Sequence, residues 1–167
     1  MTQNPLKSKA LILCWFIVGF TFAIGHMRVA FMVSLAFYLL LGLMRPGAEP
    51  ELILLASELG GQAIVSVFVI FTNIIPYSVD RLWEPVVVAG VALALLFTRL
   101  KALAWILIAY LSFMATLIFD DLFVKHVSIH TQRADIAAII RHAILLFCLF
   151  LWFRRKAGAM DKTGHLE

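Results

Sequence analysis

Between Ala10 and Met44 the chain carries a single charged residue, Arg28. As one helix this stretch would be about 52 Å long at 1.5 Å per residue, against a bilayer hydrocarbon core of roughly 30 Å. Two short spans, 10–24 and 29–44, fit that core if the chain reverses at the polar turn Gly25-His26-Met27-Arg28. One long tilted or kinked helix is the alternative.

The same alternation of apolar run and polar break continues to the end of the sequence. Arg45-Pro46-Gly47-Ala48-Glu49-Pro50-Glu51 stops a helix and wants water, and Pro50-Glu51 suits the start of the next. That helix is expected over 52–75. Glu58 and Gly60-Gly61-Gln62 would lie at the interface in its first turns, and its membrane-crossing part would be 63–75. Pro76-Tyr77-Ser78-Val79-Asp80-Arg81 makes a turn before a span at 85–98, which Pro85 opens. The basic turn Arg99-Leu100-Lys101 separates it from a span at 102–119. A final span at 136–153 ends on Arg154-Arg155-Lys156.

Composition agrees. The chain is 63% hydrophobic and 14% charged, with a mean hydropathy of +0.98. Soluble domains average about 45–50% apolar and about 25% charged, so lipid is the solvent this sequence calls for. The expected fold is an all-α polytopic transmembrane bundle forming one domain over 1–167, with six short spans, or four longer ones as the alternative. Several runs fall below the usual 17–25 residues or so and need a thinned bilayer, snorkelling ends or shelter among neighbours. No cleavable signal peptide is expected, because the first apolar run continues past the length of a signal core.

The net charge of +4 and pI near 9.3 do not point to nucleic acid, since the basic residues are dispersed as punctuation between spans. They follow the positive-inside pattern instead. Lys7, Lys9, Arg45, Arg99, Lys101, Arg154, Arg155, Lys156 and Lys162 fall on one side, and Arg28, Arg81, Lys125 and Arg133 on the other. Both termini are therefore expected in the cytoplasm, in a plasma (inner) membrane. The two cysteines, Cys14 and Cys148, sit within apolar runs and read as buried thiols.

This topology gathers the polar chemistry on the outer side. Asp120, Asp121, Lys125, His126, His130, Arg133, Asp135, Arg141 and His142 form or adjoin the longest outer loop, a candidate binding surface. His126 and His130 are the weak candidates for a metal. On a helix they would stand about 6 Å apart, in a strand about 13 Å, and only the first lets them share one ion. His26 and His142 are the corresponding pair for a haem between helices. Nothing else in the sequence calls for a cofactor. Ionisable residues inside spans are costly and mark function by default, so Glu58, Asn73 and Arg141 are candidates for a transport path. Arg141 can also pair with Asp120, Asp121 or Asp135. Trp15, Trp83, Trp105, Trp152 and Tyr77 near span ends read as an interfacial aromatic belt.

The sequence carries no P-loop, GxSxG, HExxH or in-span GxxxG motif. Three function classes follow. The first is a non-enzymatic membrane subunit, a sensor, scaffold or immunity-type protein acting through a membrane or cytoplasmic partner or through homo-oligomers. The second is a small oligomeric transporter or channel. The third is an outward-facing metal- or haem-dependent enzyme.

Overall fold

Prolines and charged turns divide the chain into helices. A computed structural model describes residues 28–71, 83–124 and 129–163. These form α1 (Arg28–Met44), α2 (Pro50–Phe71), α3 (Trp83–Thr98), α4 (Lys101–Val124) and α5 (Ile129–Thr163). Five of the six expected spans fall on these helices, 52–75 only as far as Phe71. The expected span 10–24, with Cys14 and Trp15, lies outside the described residues, as do His26, Asn73 and Tyr77.

Each break has a local cause. Arg45 still donates its N–H to Leu41 O at 2.9 Å, but Pro46 has no N–H with which to continue. Pro50 opens α2 where its missing donor costs nothing, and Glu51 complements the positive helix end. At the end of α3, Arg99 adopts φ 56° and donates its N–H to Leu95 O at 2.8 Å. The left-handed region costs a non-glycine residue about 1–2 kcal/mol. The Arg99 side chain offsets part of that cost, with Nε 3.2 Å from Glu49 Oε2 and Nη2 donating to Gly47 O at 3.2 Å. An exposed pair of this kind is worth about 0–1 kcal/mol. Arg99→Gly is therefore expected to unfold within about 1 kcal/mol of wild type, as measured by denaturation in detergent.

Three helices are long and apolar enough to cross a membrane: Pro50–Val69 of α2, Lys101–Asp120 of α4 and Asp135–Lys156 of α5. The shorter α1 and α3 have 17 and 16 residues. Packing makes α2 the centre. It contacts α1, α3 and α5, while α3 contacts α4 and α4 contacts α5. Helices α2, α3, α4 and α5 thus close a four-helix ring, with α1 laid against α2. The share of each span buried follows this plan, 61% for α2, 39% for α5 and 17% for α4. A helix buried on all sides needs no polar face, and every residue from Pro50 to Gly61 is buried.

Close approach of α1 and α2 depends on Gly61. A Cβ there would run into Ser34 Oγ and stand 2.8 Å from Ser34 Cα. Between apolar helices in lipid, contact of this kind replaces hydrophobic burial as the source of cohesion.

Arg45, Arg99, Arg155 and Lys156, four of the basic residues expected on a single side, make contacts with neighbouring helices or turns. Besides the Arg99 contacts, Arg155 Nη2 lies 2.7 Å from Glu51 Oε1, Lys156 Nζ donates to Arg99 O at 3.4 Å, and Arg45 stands 4.4 Å over the Phe97 ring.

Two expectations are corrected. The outer loop expected over Asp120–Asp135 is mostly helix: α4 continues to Val124 and α5 begins at Ile129. Phe119 and Phe123, one turn apart with ring centroids at 4.3 Å, support the α4 extension, and Gln132, Arg133, Ala134, Ala137 and Ala138 favour helix in α5. Trp152 is not part of an interfacial belt. It is fully buried, edge-on to Phe153 at 5.0 Å, with Lys156 Nζ 4.8 Å from its ring.

Candidate functional site

Each of the four ring helices contributes polar side chains to paired contacts, those of α2 and α5 buried and those of α3 and α4 part-buried. From α2 comes Glu58, 1% exposed, and from α5 comes Arg141, 15% exposed, with Arg141 Nε 3.8 Å from Glu58 Oε1. Gln62, one turn further along α2, donates from Nε2 to Glu58 Oε1 at 3.0 Å. From α4, Tyr110 donates its hydroxyl to Glu84 Oε1 of α3 at 2.7 Å. Tyr110 also lies within electrostatic reach of Arg141. The Glu58–Arg141 contact thus joins α2 to α5, and the Tyr110–Glu84 bond joins α4 to α3.

Glu58 is 1% exposed, and Gly60 and Gly61 beside it let α1 approach α2 closely. Ser34 of α1 faces Glu58. An ionised carboxylate accepts hydrogen bonds and donates none, and the Ser34 hydroxyl can donate to it. The Arg141–Glu58 contact is long at 3.8 Å, not the bidentate fork that holds a guanidinium most firmly.

His142, buried beside Arg141, donates Nδ1–H to Ala138 O at 2.7 Å. In the neutral ring this leaves Nε2 as the acceptor. Cys148 is buried in the core.

Of the residues expected on the outer loop, only Arg141 and His142 enter this site. Asp120 is exposed near the end of α4, and Asp135 is partly exposed on α5. Asp121, His130 and Arg133 lie on helical backbone with side chains outside those described, while Lys125 and His126 lie outside the described residues altogether. The weak metal pair His126 and His130 is thus not brought into view. Among the described residues, no three His, Cys, Asp or Glu side chains gather as a metal set. Glu58 and Arg141, both expected on a transport path, are brought together.

Sequence reasoning did not single out Tyr110, Ser34 or Glu84 as site residues. A tyrosine in the middle of an apolar helix was the available signal, because a buried phenol seeks a partner. Compared with models of known families, with curated proteins and with solved structures, the chain matches none.

Proposed function

We propose that this protein is a small membrane transporter in which Glu58 carries a proton and Arg141 is its exchangeable counter-ion. The observation that carries the reading is the buried Glu58–Arg141 pair, held at 3.8 Å inside a ring of helices apolar enough for a bilayer. Intramembrane ion pairs are expensive and mark pathways for ions and protons. In one state the carboxylate neutralises Arg141. A proton arriving from one aqueous face neutralises the carboxylate, and Arg141 is released. Loss of the proton to the opposite face restores the pair. The protein would reside in the plasma (inner) membrane with six spans and both termini cytoplasmic, with Arg45, Arg99, Arg155 and Lys156 facing inward.

The test is proton flux into proteoliposomes containing trapped pyranine under an imposed pH gradient. Wild-type protein is expected to acidify the lumen several times faster than protein-free liposomes at equal lipid. Rates at the protein-free level would remove the transport reading.

A second reading, a subunit acting through a partner helix or a second copy of itself, draws support from α4. Its span is only 17% buried, so most of its surface is open to lipid or to another helix.

A further inference from the structure

The wall between α3 and α4 holds a cleft of about 530 Å³ that the proton path does not use. Its sides are Trp83, Val87 and Val91 of α3 with Ile106, Leu107 and Phe113 of α4. Trp83, Val87, Ile106 and Phe113 are exposed on the outside of the bundle, so the cleft opens toward lipid. Its polar corner is the Glu84 carboxylate, where Tyr110 occupies Oε1. No cation among the described residues pairs with Glu84. Arg141 lies within electrostatic reach of Tyr110, and its charge is answered by Glu58.

We infer that this cleft is a binding site for lipophilic organic cations. The walls exclude strongly hydrated ions, and the carboxylate disfavours anions. A volume of this size falls in the range of small-molecule sites, about 300–1,000 Å³. Glu84 supplies the counter-charge, while Trp83, Tyr110 and Phe113 offer ring faces, which attract cations further where water is scarce. Such a ligand partitions first into the membrane and reaches the cleft from the lipid side, its charged centre near the first turn of α3 and its apolar body along Val87 and Val91. The inference goes beyond proton movement, since binding at equilibrium requires no flux and no change at Glu58.

Tetraphenylphosphonium and tetraphenylborate, nearly equal in shape and opposite in charge, provide the test. Protein in zwitterionic-lipid nanodiscs is titrated with each, using protein-free nanodiscs to subtract partition into lipid. Tetraphenylphosphonium is expected to bind saturably, and Glu84→Gln to weaken it about tenfold or more, a loss of about 1.4 kcal/mol or greater. Tetraphenylborate is expected not to compete. Val87→Trp fills the cleft without altering charge and should abolish binding in a helical, monodisperse protein, which decides the matter if Glu84→Gln fails to fold. Binding at the lipid background, equal binding of both ions, or affinity unchanged in either folded variant would overturn the site.

Discussion

Glu58→Gln is expected to lower the stability of the bundle by about 3–5 kcal/mol, the usual result of breaking a buried pair. Arg141→Gln should cost less. A guanidinium left alone cannot shed its charge, whereas a lone Glu58 can take up a proton and become neutral. Arg141 is 15% exposed and Glu58 1%, so some snorkelling relieves the arginine without reversing the order. The double variant Glu58→Gln/Arg141→Gln removes both charges and leaves two amides able to bond across the same gap. It should recover most of the loss, because replacing both members of a buried pair is often close to neutral. Unfolding of the four proteins in one detergent, followed by far-ultraviolet circular dichroism, checks this order. Additive losses in the double variant would mean that the two side chains do not act as a pair.

The second large effect lies at the α1–α2 contact. Gly61→Ala is expected to destabilise the protein by about 1–3 kcal/mol, the range for overpacking a close contact, because the added methyl meets backbone at Ser34 Cα and N, 2.8 and 2.9 Å away. Gly60→Ala should differ in sign. Its Cβ meets the rim of the Phe37 ring, with Cε1 at 2.7 Å, and a ring edge can swing aside. Exchanging a helical glycine for alanine then contributes up to about 1 kcal/mol, leaving Gly60→Ala neutral or mildly stabilising. Thermal unfolding of both variants, with a cysteine crosslink between α1 and α2 reporting their separation, distinguishes these outcomes. Equal losses at both positions would show that backbone approach at Ser34 is not what limits the contact.

Helix existence and most helix starts were legible because they are written locally. Pro50, Pro85 and the turn Arg99-Leu100-Lys101 announce themselves without knowledge of the fold, and α1, α3 and α4 begin within two residues of the expected positions. The Asp120–Asp135 stretch was misjudged because its polarity suggested a loop, although polarity alone does not prevent a helix from continuing beyond a membrane. Trp152 was assigned to an interface from its place near a span end, but burial depends on which helices pack around it, and here it joins the hydrophobic core. The site was half legible. Cost in a membrane singled out Glu58 and Arg141 individually. Their pairing depends on α2 and α5 being adjacent in the ring, which periodicity along either helix does not encode. Tyr110 and Glu84 stayed hidden for the same reason.

The claim that the pair moves protons, and does not merely hold the helices together, is tested most directly by proton flux through Glu58→Gln/Arg141→Gln. Both variants of the pair's function, cohesion and carriage, separate in this protein because its stability is expected to be near wild type. In pyranine-loaded proteoliposomes, with folding verified by circular dichroism and gel filtration, its rate is predicted to fall to that of protein-free liposomes. A folded double variant that carries protons at the wild-type rate would contradict the assignment of Glu58 as the carrier.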